Sequence, residues 1–200
     1  MSLETVFQIA AIVLVLTAVA ISITFRRRAA QSGEKISQRE EGILILTLRS
    51  LLGLSLWGSA LIYLLNPVWL EWSHLDLPVE GRWGGALLMA ACIPLIYWLF
   101  RSLGLNVTPT VAIRKTHTLV THGPYRWVRH PLYSTGLLFF LGLSLLAANW
   151  FIALAILAAF AALTLRTPHE EARLIEKFGD EYQSYMQSTG RYFPRLRPSK

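Results

Sequence analysis

The sequence predicts an all-α, polytopic membrane helix bundle of about five transmembrane helices, on three observations. Of its 200 residues, 54% are apolar and only 16% charged. The apolar residues gather in long uncharged runs instead of recurring at the spacing of a soluble amphipathic helix or strand. Lys and Arg are rich in some of the links between those runs and nearly absent from others, as alternate crossings of a bilayer require.

The elements follow in order. Thr5 to Phe25 carries no charge, and a span needs roughly 20 apolar residues at 1.5 Å rise to cross about 30 Å of hydrocarbon. Met1-Ser2-Leu3-Glu4 lacks a basic leader and Arg26-Arg27-Arg28 forms a stop, so this first span is expected to be a retained anchor. Ser50 to Leu70 is the second span, with Arg49 placed to snorkel to the interface. Trp69, Trp72 and Leu75 then interleave with Glu71, His74 and Asp76 before Pro78, which suits a short segment lying in the outer interface. Trp83 to Phe100 is the third span. Pro131 to Leu165 is uncharged for 35 residues, nearly twice what one crossing needs. Ala147-Ala148-Asn149-Trp150 in its middle reads as a turn, so two short antiparallel helices are expected. Thr167-Pro168-His169-Glu170 reads as a fresh helix start, with Thr167 as cap, Pro168 at the first helical position and Glu170 completing a capping box. Ala172, Leu174, Ile175 and Phe178 give that helix an apolar face and Gly179 closes it. A second amphipathic segment carries Tyr182, Tyr185 and Met186, and Gly190 to Arg195 reads as a tail folding back on the surface.

Charge fixes the expected topology. Arg26, Arg27, Arg28, Lys35 and Arg39 follow the first span, whereas the link between spans two and three has Glu71, Asp76 and Glu80 and no base before Arg82. Arg114, Lys115, Arg126 and Arg129 follow span three, and Arg166, Arg173, Lys177, Arg191, Arg195, Arg197 and Lys200 follow the long run. The N-terminus is therefore expected outside and the C-terminus in the cytoplasm, with both ends of the hairpin on the cytoplasmic face. The net charge of +7 flanks spans instead of forming one stripe, which argues for anionic membrane lipid and against nucleic acid as its partner. Cys92, alone and inside a span, excludes an internal disulfide.

Chemistry concentrates after Asn106. The segment from 106 to about 130 is broken by Pro109, Gly123 and Pro124, and a loop that long is usually functional or disordered. Its Leu119-Val120 pair and its aromatics Tyr125, Trp127 and Tyr133 argue for order. A hairpin brings this loop beside the segment from Arg166 to Gly179, so residues distant in sequence share one pocket. A buried Arg166 one turn before Glu170 needs an anionic partner: Glu170, a lipid headgroup or a substrate carboxylate. His117, His122, His130 and His169 invite a metal, but no Cys accompanies them and Arg126 and Arg129 would repel a cation, so no metal is expected. No Gly-rich strand-to-helix fingerprint appears, which disfavours a dinucleotide-binding domain.

Gly-Pro-Tyr-Arg-Trp-Val-Arg-His-Pro-Leu-Tyr at 123–133, with Arg166, Glu170-Glu171 and Phe178-Gly179-Asp180-Glu181-Tyr182 beyond the hairpin, resembles the isoprenylcysteine carboxyl methyltransferases and their phospholipid methyltransferase relatives. The similarity covers roughly residues 100 to 195. It implies an S-adenosylmethionine-dependent transfer to the carboxylate of a lipophilic or prenylated substrate. Three scaffold helices are expected in 1–105 and a catalytic region in 106–200. The resemblance implies further that His117, Thr118, Leu119, Val120, Tyr125, His130, Pro131, Leu132 and Tyr133 line the cofactor site. Thr110, where animal members carry a larger side chain, joins them, and Glu170 and Glu171 hold the cofactor while Arg166 faces the substrate carboxylate. The Thr-Gly-Arg-Tyr-Phe-Pro-Arg tail is closer to prokaryotic members, which points to a prokaryotic cytoplasmic membrane. For an amine acceptor, Glu171 or His130 would be the base. Plainer roles stand beside these: Glu170 as a helix cap, Arg166 as a span-end anchor and Trp127 in an aromatic belt. Rival functions are transfer to a phospholipid amine or small thiol, an NADPH-dependent membrane reductase of related fold, and a scaffold that only holds anionic lipid.

Overall fold

The computed structural model describes residues 1–31, 43–106 and 118–195. Among these it has six α-helices and no strand: α1 (Leu3–Ala30), α2 (Ile43–Leu65), α3 (Val79–Leu103), α4 (Pro131–Ala147), α5 (Trp150–Phe178) and α6 (Asp180–Ser188). Three of them, α1, α3 and α5, are long and apolar enough to cross a bilayer unaided, and α4 and the Ser50–Leu65 part of α2 are shorter apolar helices. At 17 residues α4 reaches about 26 Å, slightly less than the hydrocarbon core. The chain is thus an integral membrane helix bundle.

α3 is the central helix, packing on α1 and most extensively on α4, while α5 packs on α2 and α4. Small residues permit the α3–α4 approach. A Cβ on Gly85 would lie 2.5 Å from the Gly142 carbonyl oxygen, and one on Gly142 would lie 2.9 Å from that of Gly85. Phe7, Met89, Leu143, Leu146 and Ile152 fill the core between these helices.

One end of the bundle is tied by polar groups. Glu4 pairs with Arg82 at 2.7 Å and accepts from the Tyr63 hydroxyl at 3.1 Å. The buried Arg82 guanidinium also lies 4.0 Å over the Phe7 ring and donates from Nε to the Leu146 carbonyl at 2.8 Å. The start of α1, the end of α2, the start of α3 and the α4–α5 turn therefore meet there. The expected interfacial segment is the 3₁₀ helix Pro67–Ser73, which exposes Trp69 and Trp72. Asn149 joins it to the turn: Nδ2 donates to the Leu70 carbonyl and to Ser73 Oγ, and Oδ1 caps α5 by accepting from Ile152 N.

The structure corrects two expectations about the hairpin. Its second helix is not short, because α5 runs 29 residues without a break through Thr167-Pro168. Thr167 is therefore no cap. It lies buried inside α5 and donates its hydroxyl to the Leu163 carbonyl at 2.8 Å. A proline inside a helix costs about 3 kcal/mol, and here tertiary contacts on both sides of Pro168 outweigh it. Tyr192 bonds Thr167 at 2.7 Å before it, and Glu170 and Glu171 are held after it.

Candidate functional site

At the opposite end of the bundle, the loop preceding α4 folds against α5, α6 and the chain that follows α6. Asn106 receives it, donating from Nδ2 to the carbonyl and hydroxyl of Thr118 at 3.1 Å each. Gly123 sits at φ 61°, where a Cβ would collide with Ser102 of α3 at 2.2 Å, so only glycine lets the loop lie this close. Pro124 and Tyr125 are buried in the 3₁₀ turn that follows, and the Tyr185 hydroxyl of α6 donates to the Tyr125 carbonyl. His130 then caps α4 with Pro131 at its first position, where a missing N–H costs nothing.

The segment 189–192 straps across this loop. Arg129 N donates to the Gly190 carbonyl at 2.8 Å, His130 N to that of Arg191 at 3.0 Å, and Gly190 N to that of Trp127 at 3.1 Å. Ser134 donates to the Tyr192 carbonyl as well. The tail thus folds back as expected, and it forms one wall of the site.

Glu171 is the node beneath the strap. It is 2% exposed, and Oε1 accepts from Arg129 Nε at 2.8 Å and from His130 Nε2 at 3.3 Å, while Oε2 accepts from Arg191 at 2.5 Å. Since a carboxylate facing cations can only accept, His130 carries its proton on Nε2. Arg129 further donates to the carbonyls of Met186 and Thr189, so one guanidinium ties α5, α6 and the loop together. The bond to Glu171 raises the Arg191 pKa. Burial raises the phenol pKa values of Tyr125, Tyr182 and Tyr185, which stay neutral.

Glu170 points differently. Half-buried, it accepts from the Tyr133 hydroxyl at 2.7 Å, and the Tyr133 ring stacks on His130 with centroids 5.4 Å apart. Arg166, 8% exposed, lies one turn earlier on the same helix. Tyr133 also lines a cavity of about 650 Å³ walled by α1, α2, α3, α4 and α5. Leu132, Phe140, Ile156 and Phe160 are among its apolar walls, and the size is that of a small-molecule site.

The hairpin therefore brings together Tyr125, His130, Pro131, Leu132, Tyr133, Arg166, Glu170 and Glu171 at one end, with Thr118, Leu119 and Val120 on the approach to it. Thr110 and His117 lie outside the described residues. The capping-box role for Glu170 is overturned, because α5 does not begin there and its carboxylate meets Tyr133. Trp127 is 41% exposed, under the Arg126 guanidinium at 3.9 Å, which suits an interfacial residue. Arg129, Arg191 and Tyr192 organise the site, and sequence reasoning gave none of them that role. Their Lys/Arg-rich context gave no local sign of a buried partner.

Comparison with known proteins supplies an independent measure. The sequence profile described as phospholipid methyltransferase matches residues 81–181. A cobalt-zinc-cadmium resistance protein of Cupriavidus metallidurans is 37% identical over 83 residues, 42% of this chain and 38% of that protein. A probable protein-S-isoprenylcysteine O-methyltransferase of Oryza sativa subsp. indica is 39% identical over 72 residues, 36% of this chain and 38% of its own length. The chain thus covers well under half the length of these relatives. The structure of the eukaryotic intramembrane Ras methyltransferase ICMT (isoprenylcysteine carboxyl methyltransferase) superposes with a TM-score of 0.52 at 22% identity, covering 82% of this chain and 56% of that one. The membrane helical fold is shared.

Proposed function

This chain belongs to the phospholipid methyltransferase family, and we propose that it is an S-adenosylmethionine-dependent membrane methyltransferase acting on the carboxylate of a lipophilic, isoprenylcysteine-like acceptor. The observation that carries this reading is Tyr133: its hydroxyl bonds Glu170, and the same residue lines the apolar cavity. One residue thus links a carboxylate suited to a cofactor's ammonium with a cavity suited to a lipid chain.

The residues fit the cofactor. Among the described residues the buried Tyr182 hydroxyl, close to the charges of Glu171 and Glu170, has no hydrogen-bond partner, so a polar group fits there. Glu170 has lone pairs left for an ammonium after accepting from Tyr133. In this reading Thr110, His117, Thr118, Leu119, Val120, Tyr125 and the run His130 to Tyr133 hold the nucleoside side. When bound, S-adenosylmethionine supplies a methyl group already activated on a sulfonium. An acceptor carboxylate, ionised at neutral pH with a reference pKa of about 3.5 to 4, needs no base. Arg166 would orient one of its oxygens and leave the other free as the nucleophile toward the methyl group that the cofactor would supply. A carboxylate asks less of this site than an amine, because it needs no base; for an amine, His130 would be the base through the Nδ1 left unprotonated when Nε2–H donates to Glu171. Residues 106–200 then form the catalytic region, and the basic end that carries it faces the cytoplasm.

The test is calorimetric titration of the purified protein with S-adenosylhomocysteine, followed by transfer from radiolabelled S-adenosylmethionine to a prenylated cysteine acceptor. Arg166→Ala and Glu170→Ala are expected to fold and to lose transfer, with homocysteine-adduct affinity falling chiefly in the glutamate variant. Binding of NADPH with none of S-adenosylhomocysteine would replace this reading with the reductase.

A further inference from the structure

The strap carries an apolar side chain that its role as a wall of the site does not explain. Phe193 is 61% exposed, although it directly follows residues tied into the bundle. The turn that presents it is tight: a Cβ on Gly190 would collide with the Phe193 carbonyl, so glycine lets the chain close on itself there. Tyr192 fixes the level of this turn along the bundle. Its hydroxyl donates to Thr167 at 2.7 Å, its ring meets the edge of Phe160 with centroids 5.4 Å apart, and its carbonyl accepts from Ser134. α4 carries no charge, and α5 carries none from Trp150 to Leu165. Phe160 lies about 9 Å along α5 before Arg166. The Tyr192 ring therefore lies beside the last charge-free turns, where hydrocarbon gives way to headgroups. Leu157, one turn before Phe160 on the same side of α5, is 51% exposed, so this side of the helix is open to the bilayer. Adjacent Cα atoms are only about 3.8 Å apart, so Phe193 shares the level of Tyr192.

We infer that the strap is docked on the membrane, with the Phe193 ring inserted among lipid chains at the bilayer interface. Its partner is the lipid surface itself, and the exposed Arg195 two residues on suits the headgroup layer above the ring. Moving a phenyl ring out of water stabilises the docked strap in proportion to the apolar area covered. The strap is then clamped from two sides. Glu171 holds Arg191 from the protein side, and lipid holds Phe193 from the other. Closure of the site thereby depends on the bilayer as well as on the protein. The inference does not rest on the methyltransferase reading, because it concerns the wall of the site and not what the site takes.

Spin labelling tests the docking without turnover. Cys92 is the chain's one cysteine and is buried, so Cys92→Ala leaves Phe193→Cys as a single labelling site. In the same background, Leu165→Cys, at a position 73% exposed in the charge-free part of α5, marks lipid, and Glu176→Cys, at an exposed position on its polar end, marks water. Purified full-length protein in nanodiscs is exposed to oxygen, which concentrates in lipid, and to a nickel chelate, which stays in water. The label at 193 is expected to relax chiefly through oxygen, as at 165 and unlike at 176. Relaxation dominated by nickel overturns the inference, and so does spin–spin broadening that grows with protein loading, which would mean that a second copy covers Phe193. Hydrogen exchange reads the clamp. In Phe193→Ser the amides of Arg129, His130 and Gly190 are expected to exchange about tenfold faster, with α3 unchanged, and Phe193→Leu is expected to restore most of the protection. Exchange that is the same in Phe193→Ser as in the parent protein overturns the inference.

Discussion

Glu171→Gln separates two roles for the second of the adjacent glutamates. The substitution keeps the shape and one acceptor oxygen but removes the charge that faces Arg129, His130 and Arg191. Breaking a buried ion pair costs about 3–5 kcal/mol. Two features place this case at the low end: Arg129 keeps its bonds to the Met186 and Thr189 carbonyls, and the Arg191 side chain is 42% exposed and its pair screened by water. A loss of about 3 kcal/mol is on the order of a hundredfold in the equilibrium between closed and open strap. That opening frees three amides that donate across it, those of Arg129, His130 and Gly190. Hydrogen exchange at these three positions is expected to be about a hundredfold faster in Glu171→Gln, with the amides of α3 unchanged. If exchange is unaltered while S-adenosylhomocysteine affinity collapses, Glu171 contacts the ligand directly and its account as the organiser of the strap is wrong.

Two stability predictions follow. Gly85→Ala places a Cβ within 2.5 Å of the Gly142 carbonyl oxygen and is expected to cost about 1–3 kcal/mol, whereas Gly84→Ala, with open space around its Cβ, is expected to be neutral or slightly stabilising. Thermal unfolding of the two variants in one detergent tests the contrast, and equal melting temperatures would deny the close α3–α4 approach. Asn149→Ala removes the α5 cap and two bonds to the 3₁₀ segment in a site 3% exposed, for an expected loss of about 3 kcal/mol read by the same melts. A change under about 0.5 kcal/mol would mean that the turn is not anchored through this side chain.

The sequence by itself determined the class of fold, the hairpin and the meeting of its two polar flanks. Uncharged runs of span length and the sidedness of Lys and Arg are local properties, set by the cost of charge in hydrocarbon, and they need no partner to be read. The proline–glutamate stretch misled for the same reason: Thr167-Pro168-His169-Glu170 is locally a good helix start, and only contacts from Tyr192, Tyr133 and Arg129 carry α5 through it. Tertiary structure alone decided the division of labour between the two glutamates. Neighbours on a helix point about 100° apart, so Glu170 meets Tyr133 beside the cavity and Glu171 meets Arg129, His130 and Arg191 under the strap.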